Sequence, residues 1–477
     1  MFKTIRFASI PSDSNNQLKR MIDWKQGLAS ALGAPILILP SIGFFTYLMG
    51  ASAIFIWIFS VIQGTLQNVA YAELATMFPN ATGIPGYAQA ILCKGSNRSP
   101  CLRFIGGLSA WGYLVGWGFV PAIFALQITT YLTQLVPVTV AWSGAISSLV
   151  IGGLVFLGVF LVNYRGLGNS AKLAYLLALV SLIPLFIITI APLINGAFKL
   201  SNITTNWLPV AWKWDPFHLA LMFGIFGMAE WSACASEAAA VYGPEYKKPG
   251  SDLPKALFAC GVVSFFTYSI VQASATGTLG VEGILAERLS PLLPLAKVSF
   301  GPVGTYMTIA MLIAAMVLLI QMASLTASRT MYSMSISGNL PKVFARTNKY
   351  GTPVIAMMAI VLLNLVLILV GSPEAIVAAS CFGYMLAHGV TLFSYVKAKR
   401  DANLKNVVRS FRAPAGWIFI ALFYGLFTLP LCFIGLIFLN GYSLGWLPTF
   451  IGFSALAAYV PLWLYSRKKE LKNTFPP

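Results

Sequence analysis

The sequence predicts an all-α membrane protein with twelve transmembrane helices. Three observations lead to this prediction: the composition, the length and spacing of the apolar runs, and the positions of the basic residues. Of 477 residues, 58% are hydrophobic and only 9% are charged, whereas soluble domains carry about 25% charged residues. A disordered chain, which combines low hydrophobicity with high charge, is also excluded.

Twelve apolar runs bounded by charged residues, Pro and Gly form the predicted spans. Each is about as long as a bilayer-crossing segment needs to be, and lipid offers an isolated segment no backbone partner, so each is expected to be a helix. The runs are 27–47, 51–78, 104–135, 140–164, 173–195, 216–242, 253–279, 303–328, 353–370, 373–396, 414–439 and 444–465.

These runs predict five segments of the chain. A tail at 1–26 precedes a first unit of five spans at 27–195. A second unit of five spans covers 216–396, and two further spans occupy 414–465. A second tail covers 466–477.

The basic residues predict the orientation. An even number of spans places both tails on one side, and 27 of the 31 Lys and Arg residues fall in the tails and loops of that side. The remaining four are Lys199, Lys213, Arg288 and Lys297. Because basic residues stay on the cytoplasmic side, both termini are predicted to be cytoplasmic in a plasma-membrane protein surrounded by lipid. The net charge of +18 therefore indicates orientation and not a nucleic-acid partner.

Two of the predicted spans are interrupted. The first contains Gly33 and Pro35, and proline both lacks an N–H and clashes with the preceding turn. The sixth contains Gly224, Gly227 and the small-residue run 232–236. The two spans take corresponding positions in two five-span units, which indicates a binding site near the midplane. A simple kink or close helix packing is the alternative interpretation.

Two carboxylates fall within the sixth span. Glu230 and Glu237 are seven residues apart and would share a face of an intact helix, and ionisable residues inside a membrane usually mark function. Glu237 is interpreted as a gating or proton-sensing residue, with a structural anchor as the alternative. For Glu230 the structural role comes first, and partial exposure to an outer vestibule is expected.

The sequence gives no indication of an enzyme. It has no phosphate-binding GxxxxGK[ST] loop and no HExxH zinc motif. The two histidines lie in different spans, and the six cysteines have no metal-binding spacing. No cofactor and no metal site are therefore predicted, and the histidines and cysteines are interpreted as packed side chains.

Three segments resemble motifs of the amino acid–polyamine–organocation (APC) superfamily of permeases. The first is YAELATMFP at 71–79, and the second is EYKKP at 245–249 followed by DLPKA at 252–256. The third is SRTMY at 328–332, with GNLP at 338–341 and GTP at 351–353. They occur in the order and at the spacing of the superfamily.

The resemblance implies a LeuT-type fold, in which two five-helix inverted repeats are followed by two C-terminal helices. It implies a secondary active transporter of amino acids or related amines, a symporter or antiporter that works by alternating access. A polyamine or cationic amine transporter or exchanger is the alternative within transport. A channel or membrane sensor of the same fold is the alternative outside it.

The resemblance also implies site residues. Trp231 takes the place of a gating tryptophan in a member that exchanges arginine and agmatine, and Glu237 matches a glutamate found in many members. Pro35 replaces a glycine of the first-span motif, which removes one amide of the kind that binds a substrate carboxylate. The candidate substrate-binding residues are Gly33, Ala34, Pro35, Ile36, Trp231, Cys234, Ala235 and Ser236.

Two departures from the superfamily concern ions and gating. Ser181 stands where some members have a span-five lysine, and with Ser324 and Thr326 it forms a candidate cation site. A sodium site and exchange without such a cation both remain open, so the coupling ion is H+, Na+ or neither. Ile336 and Ser337 replace an Arg-Asp pair, so an inner-gate salt bridge is expected to be missing.

Overall fold

The computed structural model describes residues 18–93, 99–135, 144–405 and 407–474. These residues form helices and loops without a strand, and one isolated bridge pairs Ile22 with Tyr246. The α-helices are α1 (Trp24–Ala31), α2 (Ile42–Met49), α3 (Ala53–Met77), α4 (Gly83–Leu92), α5 (Pro100–Gly118), α6 (Val120–Leu135), α7 (Gly144–Tyr164), α8 (Leu167–Ile194), α9 (Ser201–Thr204), α10 (Pro216–Ala233), α11 (Pro249–Ala286), α12 (Leu292–Ile336), α13 (Val354–Ile368), α14 (Pro373–Arg400), α15 (Ala402–Lys405), α16 (Trp417–Phe423), α17 (Leu429–Leu439), α18 (Leu447–Ala457) and α19 (Tyr459–Thr474).

Short 3-10 and π segments join or interrupt these helices. The 3-10 segments are Ala34–Ile36, Leu39–Ser41, Gly50–Ser52, Ala235–Glu245 and Lys342–Ala345, and the π segments are Tyr424–Thr428 and Asn440–Leu444.

Ten helical runs in the described part of the chain are long and apolar enough to cross a membrane, so the all-α membrane architecture is confirmed. One run, Trp24–Met77, covers the first two predicted spans, and the shorter apolar helix Val354–Ile368 coincides with the ninth. The number twelve and the inverted repeat stay predictions. The predicted tails 1–26 and 466–477 and the predicted span 140–164 lie partly outside the described residues.

The first predicted break is present in the structure. The helix α1 begins with a capping box between Asp23 and Gln26, which satisfies two of the free amides at its N-terminus. After Ala31 the chain continues as the 3-10 turns Ala34–Ile36 and Leu39–Ser41 before α2 begins. Pro35 lies inside the first of these turns, where its missing N–H ends the regular helix.

The small-residue run 232–236 predicts an interruption of the sixth span, and the structure places a change of helix geometry there. The helix α10 continues through Ala233, and the following 11 residues, Ala235–Glu245, form a 3-10 helix. The N–H of Cys234 still bonds the carbonyl of Glu230, four residues back, whereas the N–H of Glu237 bonds the carbonyl of Cys234, three residues back. The break is therefore a change of helix type, and 3-10 runs of this length are uncommon.

Glycine contacts bring the helices around this break close together. A Cβ atom on Gly112 of α5 would lie 2.6 Å from the carbonyl oxygen of Gly383 in α14. A Cβ on Gly224 of α10 would lie 2.5 Å from the carbonyl oxygen of Gly435 in α17. Small residues allow such backbone contact between membrane helices. As a result, α5 and α14 can present aromatic and polar side chains directly to the segment that follows α10.

Candidate functional site

Glu237 is fully buried in the 3-10 segment after the break. The hydroxyl of Tyr113 donates to its Oε2 at 2.7 Å, and the hydroxyl of Tyr384 donates to its Oε1 at 3.0 Å. The indole Nε1 of Trp117 donates to Oε1 at 3.3 Å. Within the described residues no ion pair includes Glu237. Neutral donors from α5 and α14 thus hold this carboxylate, and the proton-sensing role stays a prediction.

Glu230 is 1% exposed, so the expected exposure to an outer vestibule is wrong. The helix continues past this residue and keeps its side chain against α3, where Gln67 Nε2 donates to Glu230 Oε1 at 2.7 Å. The thiol of Cys234 lies 3.7 Å from the same oxygen. The amide of Gln63 lies beside the carboxylate, and Glu230 Oε2 has no hydrogen-bond partner among the described residues.

His388 extends this polar group from α14. Its Nδ1 lies 2.9 Å from Gln67 Oε1 and 2.9 Å from the hydroxyl of Tyr71. Its Nε2 has no hydrogen-bond partner in the part of the chain that the structure describes, although the side chain is fully buried. We call Gln67, Tyr71, Glu230, Cys234 and His388 the Glu230 cluster. A ligand atom from each of Glu230, Cys234 and His388 lies within 4.8 Å of the other two, a spacing that could hold a metal ion.

Sequence reasoning missed the Glu230 cluster. The sequence predicts His388 as a packed side chain and Cys234 as a candidate substrate-binding residue, and it does not connect the two, because they lie 154 positions apart and no ligand spacing links them. A usable signal was the four-residue spacing of Gln67 and Tyr71, which places two polar side chains on one face of an apolar helix.

The two breaks lie against each other, because the 3-10 segments Ala34–Ile36 and Ala235–Glu245 are in contact. All eight candidate substrate-binding residues are buried. The carbonyl of Ala34 accepts a hydrogen bond from the Tyr268 hydroxyl at 2.9 Å, and Ser236 Oγ accepts one from Asn68 Nδ2 at 2.6 Å. The structure brings these candidates together, and their binding role stays a prediction.

The candidate cation site is less clearly assembled. Thr326 Oγ1 lies 3.4 Å from the hydroxyl of Tyr242, whereas the hydroxyl of Ser181 donates to the carbonyl of Leu177 in its own helix. Among the described hydrogen bonds, none joins Ser181 to Ser324 or Thr326. The cation-site prediction therefore has no geometric support beyond burial of Ser181 and Thr326.

Two other buried carboxylates form ion pairs. Glu245 accepts two hydrogen bonds from Arg329, Nε to Oε2 at 2.8 Å and Nη2 to Oε1 at 2.9 Å, and both side chains are at most 1% exposed. Glu73 pairs with Lys399 at 3.0 Å and with Arg409 at 2.8 Å. An Arg-Asp pair is expected to be missing at positions 336–337. Two turns earlier, α12 carries Arg329, which forms a buried ion pair with Glu245 of the 3-10 segment.

An apolar helical bundle with two helices broken at adjacent points is the arrangement of secondary transporters with discontinuous helices. A family model described as amino acid permease matches residues 23–460. The chain belongs to this amino acid permease family, within the APC superfamily. The resemblance drawn from the sequence motifs is confirmed.

Curated relatives agree with this assignment. The chain is 25% identical to the uncharacterized amino acid permease YecA of Bacillus subtilis, over 69% of this chain and 72% of YecA. It is 24% identical to the polyamine transporter PUT1 of Oryza sativa, over 82% of this chain and 66% of PUT1. It is 22% identical to the histidine permease HisP of Lactococcus lactis, over 75% of this chain and 74% of HisP. These relatives are named permeases and transporters and not enzymes.

Proposed function

We propose that the protein is a secondary active transporter of amino acids or related amines that works by alternating access around the two breaks. The observation that carries the proposal is the contact between the 3-10 segments Ala34–Ile36 and Ala235–Glu245. Breaks of this kind in two adjacent helices are where secondary transporters with discontinuous helices bind their substrates. Burial of all eight candidate residues supports an occluded state as one step of this cycle.

The substrate class follows from the charges near the breaks. Glu230 and Glu237 are buried and have only neutral hydrogen-bond donors among their described partners. A carboxylate held in this way retains its attraction for a cation. We therefore infer a substrate that carries an ammonium group. A polyamine or other cationic amine is the second candidate, supported by the same carboxylates and by the similarity to PUT1.

Gating and coupling are part of the proposal. Trp231 is 2% exposed at the end of α10, one turn before the 3-10 segment, and we assign it the gate over the substrate. Glu237 is assigned the gating or proton-sensing role, and H+ or Na+ is the proposed coupling ion. The twelve-span LeuT-type topology, with both termini on the cytoplasmic side of the plasma membrane, rests on the distribution of basic residues.

Uptake into proteoliposomes tests the proposal. Purified protein is reconstituted and offered labelled amino acids and polyamines, with imposed proton gradients, sodium gradients or neither, and protein-free liposomes serve as the control. We expect saturable uptake of at least one amine-bearing substrate, with counterflow when the vesicles are preloaded. Non-saturable flux without counterflow would indicate a channel, and binding without flux would indicate a sensor; either result contradicts the transporter.

A further inference from the structure

We propose that Glu230, Cys234 and His388 form a binding site for a divalent transition-metal ion of the zinc class. The three residues come from α10, its C-terminal cap and α14, and one ligand atom from each lies within 4.8 Å of the others. All three side chains are at most 1% exposed. The inference goes beyond the proposed transport function, because it concerns an ion that the transport of an amine does not require.

The ligand types select this class of ion. Carboxylate, thiolate and imidazole together are typical zinc ligands, whereas sodium, calcium and magnesium prefer oxygen ligands alone. A substrate ammonium group would be attracted by Glu230, but it gains no coordination bond from a thiol or an imidazole nitrogen. Three protein ligands also leave a fourth tetrahedral position open.

The distances are close to those of a tetrahedral site. Zinc bond lengths of about 2.0–2.3 Å place neighbouring ligand atoms roughly 3.3–3.8 Å apart. The Sγ of Cys234 lies 3.7 Å from Oε1 of the Glu230 carboxylate, whose other oxygen, Oε2, is the one without a hydrogen-bond partner among the described residues. No pair of ligand atoms is wider than 4.8 Å, so binding requires a closure of at most about 1.5 Å. Cys234 lies where the helix changes from α to 3-10 geometry, so a small adjustment there does not disturb a regular helix.

A second observation points to a ligand at this place. Among the described residues, Nε2 of His388 and Oε2 of Glu230 have no hydrogen-bond partner, although both side chains are buried. Buried polar atoms are usually satisfied, and each exception needs a reason. A metal ion would accept both lone pairs, and it would balance the negative charges of the carboxylate and of the thiolate that forms when Cys234 loses its proton.

The surrounding residues support the imidazole as a ligand. Glu230 fixes the amide of Gln67 with its nitrogen toward the carboxylate, so the Gln67 oxygen faces His388 Nδ1 at 2.9 Å. That oxygen can only accept a hydrogen bond. The proton of a neutral imidazole is therefore placed on Nδ1, and the lone pair on the other nitrogen is available to a metal. Hydrogen bonds of this kind orient metal-binding histidines.

Bound metal would connect the end of α10 to α14 directly beside the break. If the proposed transport function is correct, zinc should then slow transport, because the break could no longer move relative to α14. Metal binding itself is measured without any transport assay, so failure of one inference can be told from failure of the other.

Metal binding to the purified, metal-free full-length protein tests the site. We expect about one equivalent of Zn²⁺ after removal of free ion, a higher melting temperature, and a sulfur-to-cobalt charge-transfer absorption when Co²⁺ is used. Cys234→Ser should abolish that absorption and lower the Zn²⁺ affinity at least about tenfold, and His388→Gln should lower it by a similar factor.

Matched controls exist for both ligands. Cys260→Ser changes a buried cysteine that bonds a backbone carbonyl, and His218→Gln changes the only other histidine; both should bind zinc as the wild type does. If His388→Gln does not fold, Cys234→Ser decides. The proposal is overturned if the wild type binds no zinc, if Cys234→Ser keeps full affinity, or if His218→Gln removes binding and so assigns it to the Asp215–His218 pair.

Discussion

Two pairs of buried glutamates differ in their position and in their partners. Glu73 lies near the end of α3 and Glu245 at the end of the 3-10 segment, whereas Glu230 and Glu237 flank the break itself. All four side chains are at most 1% exposed. Glu73 and Glu245 are paired with Lys399, Arg409 and Arg329. The two carboxylates at the break have only neutral partners among the described residues.

This difference separates two uses of a buried charge. An ion pair with satisfied hydrogen bonds offsets the cost of removing both charges from water, and it fixes the segments that it joins. A carboxylate surrounded by hydroxyl, amide and indole donors is held in place but has no cationic partner among the described residues. It can therefore attract a mobile cation, whether substrate, coupling ion or metal. The comparison predicts that the paired group governs stability, whereas the unpaired group governs binding and transport.

The largest effect is expected at the pair between Arg329 and Glu245. Arg329→Met leaves Glu245 buried without a cation, which should destabilise the fold by about 3–5 kcal/mol. The double variant Arg329→Met with Glu245→Met removes both charges and should recover most of that loss. Melting followed by size-exclusion chromatography measures both. If Arg329→Met melts at the wild-type temperature, the proposed difference between paired and unpaired carboxylates is wrong.

Glu237→Gln should destabilise less, because it leaves no unpaired charge. With its oxygen in the place of Oε1, the amide still accepts from Tyr384 and Trp117. Its NH₂ group then faces the Tyr113 hydroxyl, which has to turn from donor to acceptor. We expect a cost of about 1–3 kcal/mol. The uptake rate should fall by a larger factor than the loss of folded protein explains. Tyr113→Phe is the matched control, since it removes one donor and keeps the carboxylate.

The pH profile of uptake separates the two interpretations of Glu237. A flatter profile in a well-folded Glu237→Gln protein supports proton sensing. Strong loss of melting temperature with an unchanged profile supports a structural anchor instead.

Trp231→Leu should weaken substrate binding by about 1–2 kcal/mol, because it removes stacking or cation–π contact with an amine. Binding isotherms on the purified protein measure the change. Trp446, which is 66% exposed, offers the control Trp446→Leu, and it should bind as the wild type does. Unchanged substrate affinity in Trp231→Leu would contradict the assignment of Trp231 as the gate.

Much of the fold was predictable, and the partners of the site were not. Apolar runs and the residues Gly33 and Pro35 indicated membrane helices and a broken first span, because both effects are local. The donors to Glu237 come from α5 and α14, and their approach depends on the contact of Gly112 with Gly383, which no local pattern reveals. The 3-10 segment was likewise missed, since small residues at 232–236 suit close packing and unwinding equally.

The smallest effect is expected for an exposed carboxylate, Asp215, which caps α10. Its Oδ1 accepts hydrogen bonds from the backbone N–H and from the ring Nδ1 of His218, both at 2.8 Å. These bonds lower the pKa of Asp215 below its usual value, and the bond from the backbone N–H has the largest effect.

A lowered pKa means that the charged form of Asp215 is favoured in the folded state. The stabilisation is therefore present above the unfolded pKa of about 3.9 and is lost as the pH falls through the folded value. Asp215→Asn keeps a good cap but loses the charge, so it should melt slightly below the wild type at neutral pH. The two melting temperatures should converge as the pH falls through the lowered folded pKa of Asp215. A difference that persists unchanged in acid would assign the effect to the shape of the cap and not to its charge.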